Sequence, residues 1–228
     1  KTGINLLQVD SLTGVFKVYA DNKMATLADL RFQENDKGII MDVSGFSNHG
    51  IIKNTDSENQ DFTGFNVNSF VEIKNNLAFS TLKNEITMMG WVKLSNVDNY
   101  PVSIITQGDH NVIQLLNNNE IEFFAGGWGR GTCNVNLLSG FTGEWHHVAG
   151  VADGLLLKLY IDGILMETVT LDNNASLATK ANWNLGRNEE FPGKRIFNGK
   201  IDGVKIFAVA LSQNEIAEIV NNEKNKFD

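Results

Sequence analysis

One tryptophan stands where a sugar-binding side chain would be exposed. Trp128 lies within residues 125–131, and the four glycines of that run predict an irregular loop that leaves the indole at the surface. Sugar rings present apolar C–H faces and hydroxyl edges, so a protein that binds them needs an aromatic platform beside planar hydrogen-bonding groups. Arg130, two residues further on, supplies such a group. The loop therefore predicts a carbohydrate-binding site.

Two other segments carry polar side chains of the types that bind sugar hydroxyls. Gln107 and Asn111 flank a Gly-Asp-His turn, and Arg187 precedes a short acidic and aromatic run. If these segments meet the Trp128 loop at one end of the fold or over a concave sheet, they form a cleft with an aromatic floor. Arg130, Asn111 and Arg187 would then bind hydroxyls or an acidic group. The alternative is structural, with Trp128 folded over an edge and Arg130 offsetting acidic charge.

A pair of glutamates tests whether the chain is an enzyme. Retaining glycosidases use two carboxylates about 5 to 5.5 Å apart, a spacing that positions i and i+2 of a strand provide. Glu120 and Glu122 have this spacing, but residues 117–119 are asparagines that mark a turn and place the pair near a strand end. The chain has no Gly-x-Ser-x-Gly elbow and no phosphate-binding glycine loop. We therefore expect a solvated strand face and no catalytic residues.

Histidine and cysteine predict neither a metal site nor a disulfide. His146 and His147 are adjacent, and neighbouring residues on a strand point to opposite faces, so they cannot easily chelate one ion. We expect one of them to be buried, with its nitrogens hydrogen-bonded, and the other to be partly exposed. Cys133 is the single cysteine, which excludes an internal disulfide.

The elements that must position these residues are strands. Most of the chain alternates apolar and polar residues between clusters of turn formers, with 21 glycines and 2 prolines, which is typical of an antiparallel β fold. Asp162-Gly163 lies between two alternating runs and predicts a two-residue hairpin turn. Ser212 and Glu215 form a capping-box pattern that predicts one short C-terminal helix. Further strands are expected over residues 70–73, 86–94, 102–107, 111–116, 120–124, 145–152, 183–186 and 199–207.

Composition and net charge limit the classes of partner that the chain is expected to bind. The 228 residues carry 27 acidic and 19 basic side chains, a formal charge of −8, which disfavours nucleic acid or an anionic membrane. No stretch approaches the ~18 apolar residues of a membrane span, so membrane insertion is not expected. The chain begins at Lys1 and not at Met, which favours a piece of a longer protein. Residues 1–29 are interpreted as a linker or the tail of a preceding domain, and residues 30–228 as one folded domain.

Seven segments from about residue 30 onward carry a resemblance to a known family: 42–50 (DVSGFSNHG), 65–73 (FNVNSFVEI), 86–93 (ITMMGWVK), 143–150 (GEWHHVAG), 160–163 (YIDG), 183–187 (WNLGR) and 197–207 (FNGKIDGVKIF). In these segments, and in their order, the chain resembles the laminin-G-like, concanavalin A-like jelly-roll domains. The resemblance implies an all-β fold, a two-sheet antiparallel jelly-roll β-sandwich whose first and last strands meet in one sheet. It also implies a role, because such domains are often non-catalytic modules of secreted or surface proteins that process polysaccharides.

The other tryptophans are interpreted as structural. Trp91 lies in an alternating strand and Trp145 begins another, so both are expected to fill the core between the two sheets. Trp183 is expected in the core or at its rim. None of the three is predicted to contact a ligand.

The resemblance further implies a calcium site. In similar jelly rolls a Ca²⁺ ion often ties the early loop to the last strand, where Asp42 and Asp202 would supply carboxylates and Asn48 a further oxygen. The loop after Asp42 is rich in Gly, Ser and Asn, whose carbonyls can help to complete the roughly six to eight oxygen ligands that Ca²⁺ takes. The alternative is that Asp42 caps a turn and Asp202 stabilises a strand end.

These observations predict a non-catalytic carbohydrate-binding module of a larger glycoside hydrolase that is secreted, periplasmic or held at the cell surface. Its partner would be a polysaccharide or oligosaccharide, and other domains would be linked covalently to it. The alternative is a structural spacer or a protein-binding adhesion domain without glycan affinity. The residues predicted to contact the glycan are Trp128, Arg130, Asn111, Gln107 and Arg187.

Overall fold

The computed structural model shows an all-β protein with one short C-terminal helix, α1 (Gln213–Glu223). It describes residues 6–9, 16–19, 26–36, 38–53, 64–65, 69–95, 101–116, 120–137 and 141–227. Short 3-10 turns lie at Phe79–Thr81, Trp128–Arg130 and Lys224–Lys226. The strands are β1 (Leu6–Val9), β2 (Phe16–Tyr19), β3 (Thr26–Asp36), β4 (Ile39–Asp42), β5 (Gly50–Lys53), β6 (Gly64–Phe65), β7 (Phe70–Ile73), β8 (Glu85–Leu94), β9 (Val102–Gln107), β10 (Asn111–Leu116), β11 (Glu120–Ala125), β12 (Cys133–Asn136), β13 (Trp145–Asp153), β14 (Leu156–Ile161), β15 (Ile164–Thr170), β16 (Trp183–Leu185) and β17 (Gly199–Phe207).

The strands form the two sheets of a jelly-roll sandwich. What we call the front sheet has the order β12-β11-β10-β9-β16-β7-β5-β4, and the back sheet has the order β17-β8-β13-β14-β15, with β6 paired to β17. Strand β3 joins the two, because its first residues pair with β17 and its later ones with β4. The first and last strands of the sandwich are therefore neighbours, and paired strands run antiparallel, as predicted.

The described part of the sandwich begins at Thr26, and Leu27 and Ala28 at the start of β3 are fully buried in its core. Residues 1–5, 10–15 and 20–25 lie outside the described part of the chain. Between them, β1 and β2 pair as an antiparallel hairpin. The interpretation of residues 1–29 as a linker or tail thus falls largely outside the described residues and stays a prediction.

Alternation along the strands determines which side chains reach the core. In β11, Ile121 and Phe123 belong to the core between the sheets, so Glu122 between them faces outward. The two sheets approach closely at Gly150 of β13, where an added Cβ would lie 2.3 Å from the Phe123 ring. This contact fixes the centre of β11 against the back sheet and positions the outward side chains of the front sheet.

The predicted hairpin is confirmed. Asp162 and Gly163 have φ values of 51° and 79°, and they connect Ile161 to Ile164 as a directly paired couple across β14 and β15. Two consecutive residues with positive φ match the right-handed twist of the strands, which is why Asp-Gly is favoured here.

Helix α1 covers the outer face of the back sheet. Ser212 accepts from the Glu215 amide at 3.4 Å, and the Glu215 side chain accepts from the Ser212 amide at 2.7 Å, so the predicted capping box is present. Ile216 and Val220 point down into a second apolar cluster, separate from the core between the sheets. Among the described residues, no helix has the length and apolar character needed to cross a membrane.

This second cluster corrects the expected location of two tryptophans. Trp91 is buried, but it lies beneath the C-terminal segment on the outer face of the back sheet and not between the sheets. Trp145 packs at the edge of the same cluster, half-buried. The physical reason is that an amphipathic helix buries the outer face of these strands as well, so both faces of the sheet are apolar. Trp183 lies in the inter-sheet core against Phe79.

Candidate functional site

The loop between β11 and β12 presents Trp128 to solvent. Gly126, Gly127 and Gly131 have φ values of 81°, 97° and 126°, which residues with a Cβ rarely adopt, so the glycines permit the sharp path of this loop. The Gly127 amide donates to the carbonyl of His110 at 2.9 Å and ties the loop to the neighbouring β9–β10 turn. The Trp128 side chain is 62% exposed. The exposure predicted from the glycines is therefore present.

A buried glutamate holds the exposed indole in place. Glu122 projects from the outer face of β11 and is 2% exposed. Its Oε1 accepts from Trp128 Nε1 at 3.1 Å, and its Oε2 accepts from Gln114 Nε2 at 2.6 Å. Both donors are neutral groups. The carboxylate thus fixes the edge of the ring while the ring itself stays accessible.

The hydrogen bonds continue from Gln114 to a loop that crosses the front sheet. Arg195 Nη1 donates to Gln114 Oε1 at 3.2 Å and to Asp109 Oδ1 at 2.9 Å. The Arg195 guanidinium also lies 3.6 Å from the centre of the Phe191 ring, within the range of a cation–π contact. We call Trp128, Glu122, Gln114, Arg195 and Asp109 the Trp128 network. It joins three loops and the two strands β10 and β11 by hydrogen bonds.

Arg130 does not belong to this surface in the expected way. Its Nη1 donates to the carbonyl of Ala125 at 2.7 Å and its Nη2 donates to the carbonyl of Asn173. Burial lowers the pKa of the Arg130 guanidinium. The side chain therefore fastens the Trp128 loop to the segment that follows β15, and its terminal nitrogens face backbone oxygens.

Gln107 and Asn111, which the sequence predicts as ligand contacts, are fully buried. Asn111 Nδ2 donates to Gln107 Oε1 at 2.9 Å and to the carbonyl of Leu177 at 2.8 Å, while Asn111 Oδ1 accepts from the Gly126 amide at 3.2 Å. Their amide groups satisfy loop backbone that would otherwise be buried without partners. They support the Trp128 loop from within and do not reach its surface.

Arg187 lies apart from the Trp128 network. Its guanidinium carbon is 4.6 Å from the centre of the Phe70 ring on β7, several strands away in the front sheet. The structure therefore brings together Trp128 with residues of the β9–β10 turn and the 186–198 loop, but through Asp109 and Arg195 in place of Asn111 and Arg187.

The residues predicted to bind calcium do not fit that ion in this arrangement. Asp42 Oδ1 accepts from the amides of Asp29 and Ser44 at 2.8 and 2.9 Å, and Oδ2 accepts from Ser44 Oγ and the Asn48 amide at 2.7 and 2.8 Å. Four donors thus surround the carboxylate. The amide oxygen of Asn48 accepts from Asn76. This is the turn-capping arrangement that the sequence left as the alternative.

Asp202 makes contacts of a different kind. Its Oδ1 accepts from the Gly203 amide at 2.6 Å, and burial raises the pKa of its carboxyl group. It shares a small cavity with Lys205 and Glu223 beneath the C-terminal segment. Among the described residues, no group of three or more His, Cys, Asp or Glu side chains could hold a metal ion. The presence of calcium stays a prediction from the sequence.

The two candidate catalytic glutamates are not arranged as a reactive pair. Glu122 is buried with both oxygens occupied by the indole and amide donors, and Glu120 is half-buried at the start of β11.

The two adjacent histidines differ from each other in their contacts. His146 contacts Asp162 at 2.8 Å and stacks on Phe141, whereas His147 is fully buried with neither ring nitrogen hydrogen-bonded, contrary to the expectation for the buried histidine.

Sequence reasoning missed Arg195 and gave Glu122 and Gln114 no binding role. Glu122 and Gln114 could have been found, because each is a polar residue between two apolar neighbours within a strand. Arg195 carries no such signal. Its position depends on how the 186–198 loop folds back over the sheet.

Solved structures with the same architecture include a domain of a glycosidase and the binding domains of toxins. Domain 4 of AbnA, a GH43 extracellular arabinanase from Geobacillus stearothermophilus solved in complex with arabinotriose, aligns with a TM-score of 0.63 at 20% identity, covering 87% of this chain and 100% of that domain. The receptor-binding domain of botulinum neurotoxin mosaic serotype C/D aligns with a TM-score of 0.66 at 18% identity, covering 87% of this chain and 51% of that one. The binding domain of Paraclostridial Mosquitocidal Protein 1 aligns with a TM-score of 0.63 at 15% identity, covering 88% of this chain and 53% of that one.

The chain thus spans the whole of the arabinanase domain but about half of each toxin binding domain. At these identities the likeness shows a shared fold. A search of curated protein sequences gives no match. A family profile described as the concanavalin A-like lectin/glucanases superfamily, of the laminin-G type, matches residues 65–217. Because this match covers well over half of the sequence, the chain belongs to the concanavalin A-like lectin/glucanase superfamily.

Proposed function

We propose that this domain is a non-catalytic carbohydrate-binding module that holds a glycan against Trp128. The observation that carries the proposal is the indole itself, 62% exposed yet fixed at its Nε1 by the buried Glu122. An orientation that is set before binding loses less conformational entropy when a sugar ring stacks on it. A large apolar ring held at the surface by a buried acid serves no evident packing role.

The surroundings of Trp128 support sugar binding. Asp109 and Arg195, at the rim of the network, are partly exposed and offer acceptors and donors to hydroxyl groups. The solved arabinanase domain with arabinotriose has the same fold and the same extent, which supports a module appended to a secreted or surface glycoside hydrolase. The module would raise the local concentration of the enzyme at its polysaccharide, because tethering makes the second encounter intramolecular.

The absence of catalysis in this domain is part of the proposal. Glu122 is 2% exposed and both of its oxygens accept from neutral donors, so its carboxylate is poorly placed to meet a glycosidic bond. A retaining glycosidase requires two accessible carboxylates about 5 to 5.5 Å apart. The domain would bind the polysaccharide and leave its hydrolysis to another domain.

Calorimetric titration against a panel of neutral and acidic polysaccharides tests the proposal. We expect saturable binding of at least one glycan and a loss of roughly tenfold or more in Trp128→Ala, as expected when an aromatic contact is removed. Trp128→Phe should retain part of the affinity, because a ring remains. The matched control is Ile164→Ala, which shortens a side chain of similar exposure, 61%, on the back sheet.

If no polysaccharide of the panel bound, the proposal would be overturned and the alternative of a spacer or adhesion domain would be favoured. Binding that Trp128→Ala leaves unchanged would place the glycan elsewhere on the domain. Release of reducing ends from the bound glycan by the purified domain, abolished in Glu122→Gln, would contradict the non-catalytic role.

A further inference from the structure

The charges around Trp128 are unevenly distributed. The Trp128 network contains two carboxylates, Glu122 and Asp109, and one guanidinium, Arg195. Arg195 pairs with Asp109 at 2.9 Å, so the positive charge at the rim already has a counterion. Glu122 has only neutral partners and is buried, where its charge is poorly screened by water. Within the Trp128 network the carboxylates therefore outnumber the guanidinium by one, and the buried Glu122 has no cationic partner.

The arginine next to the platform carries a positive charge, but its terminal nitrogens are already hydrogen-bonded to backbone oxygens. Arg130 turns back against its own loop, and a Cβ added at Gly126 would lie 2.4 Å from Arg130 Nη1. Both terminal nitrogens of Arg130 face the backbone oxygens of Ala125 and Asn173. Arg130 therefore directs no pair of free N–H groups at an anionic group stacked on Trp128.

The hydrogen bond to Glu122 acts in the same direction. The face of an aromatic ring carries the negative side of its quadrupole and attracts the weakly positive C–H groups of a sugar. An indole whose N–H donates to a carboxylate becomes more electron-rich, which strengthens that preference. A carboxylate or sulfate placed near the same ring face is repelled by the ring and by Glu122 together.

We propose that the Trp128 site selects glycans without anionic groups and rejects uronates and sulfates. This inference rests on the proposed function, because it specifies the class of glycan that the same site binds. It departs from the expectation that Arg130 and Arg187 receive an acidic group. Recognition then depends on C–H contacts with Trp128 and on hydroxyls that donate to exposed acceptors such as Asp109.

The test compares charged and uncharged derivatives of one glycan. The neutral polysaccharide that binds most tightly in a Trp128-dependent manner is converted to its carboxymethyl derivative and, as a size-matched neutral control, to its hydroxyethyl derivative. Calorimetry with the full chain at about 20 mM and about 300 mM salt gives both dissociation constants. We expect the carboxymethyl form to bind roughly fivefold or more weakly than the hydroxyethyl form at low salt, with the difference shrinking at high salt.

A variant that neutralises one carboxylate of the site tests whether that charge causes the selectivity. Asp109→Asn removes one carboxylate and leaves Arg195 without its counterion. We expect the ratio of the two dissociation constants to move toward one by roughly fivefold at low salt. Glu218→Gln changes the net charge by the same amount on the exposed side of α1 and should leave the ratio unchanged. Equal ratios in the two variants would contradict a local origin of the selectivity.

The outcomes separate this inference from the proposed function. If no glycan binds, the proposed function fails and the selectivity fails with it. If a uronate or sulfated glycan binds more tightly than its neutral counterpart and Trp128→Ala abolishes that binding, the module assignment stands and the inference is overturned. Weaker binding of the carboxymethyl form, relieved by salt and by Asp109→Asn, supports both.

Discussion

Two tryptophans make the same hydrogen bond in opposite environments. Trp91 Nε1 donates to Glu223 Oε2 at 3.0 Å, and Trp128 Nε1 donates to Glu122 Oε1 at 3.1 Å. Trp91 is 3% exposed and stacks on Phe227 with ring centroids 4.5 Å apart, whereas Trp128 is 62% exposed. Both indoles are fixed at one edge. Only Trp128 keeps a ring face that a ligand can reach.

The two glutamates explain the difference. Glu223 comes from the end of α1 and also accepts from Lys205 Nζ at 2.5 Å. Its bond to Trp91 fastens α1 and Phe227, which we call the C-terminal cover, to the outer face of the back sheet. Glu122 comes from the front sheet itself and holds a ring that nothing described covers. The same bond thus stabilises a cover in one region and orients a platform in the other. Whether the bond stabilises a cover or orients a platform depends on whether the glutamate lies on the helix or on the sheet.

Truncation of the two rings should separate these roles most strongly. Trp91→Ala opens a cavity in the apolar cluster and removes a partner of Glu223, so we expect a loss of about 3 to 5 kcal/mol in the free energy of unfolding. Trp128→Ala removes an exposed ring and one hydrogen bond, and we expect a loss of about 1 kcal/mol. Urea denaturation of both variants measures these values. Equal losses would contradict the comparison.

The acid sensitivity of the two regions should differ as well. His147 lies under the same cover as Trp91, with the two ring centroids 5.4 Å apart. Burial, together with the positive charge of Lys205 and against the opposing charge of Asp162, lowers the pKa of His147 to about 3. The unfolded chain binds a proton near pH ~6.5 and the folded chain does not, so stability is lost as the pH falls from about 6.5 toward about 3.

The expected slope is about 1.4 kcal/mol per pH unit, which amounts to roughly 3 kcal/mol between pH ~6.5 and pH ~4.5. Urea unfolding across this range measures it. His147→Phe should remove the contribution of this residue, whereas His110→Gln, on the half-buried turn of the front sheet, should keep it. If the free energy of unfolding fell equally with pH in the wild type and in His147→Phe, His147 would not be the source of the acid sensitivity.

Much of the fold was accessible from the sequence because its signals are local. The Asp162-Gly163 turn and the Ser212–Glu215 capping box each depend on a few consecutive residues, and both are present as predicted. The exposure of Trp128 follows in the same way from its flanking glycines. In each case the backbone geometry that the residues favour needs no information from distant parts of the chain.

The rest depended on tertiary contacts that a sequence does not display. Gln107 and Asn111 have the side chains of ligand-binding residues, but loops that return from other parts of the chain bury them and use their amides. Alternation predicts the wrong face for Trp91, because it cannot tell which face of a strand meets the core between the sheets when a helix buries the other face. Arg195 reaches Gln114 only because its loop crosses the sheet.

Neutralising the acid beneath the platform should affect the orientation of the indole more than the stability of the fold. In Glu122→Gln the amide can accept from one of its two donors, Trp128 or Gln114, but its own NH₂ opposes the other. We expect a loss of about 1 to 3 kcal/mol in stability. The Trp128 indole N–H resonance, assigned with Trp128→Phe, should broaden or shift toward its solvent-exposed position. Glu120→Gln, two residues away on the same strand, should leave that resonance unchanged.

The smallest effect is expected at the helix cap, and it should reach only the covered tryptophan. Ser212→Ala removes the acceptor for the Glu215 amide at the start of α1, and we expect a loss of about 1 kcal/mol. Since α1 carries Glu223 at its other end, fraying should increase hydrogen exchange along the helix and at the Trp91 indole, while exchange at the Trp128 indole stays the same. Asn214→Ala, an exposed change in the same first turn, is the control. If Ser212→Ala accelerated exchange at both indoles equally, the cover and the platform would belong to one cooperative unit, and the distinction between them would be one of exposure alone.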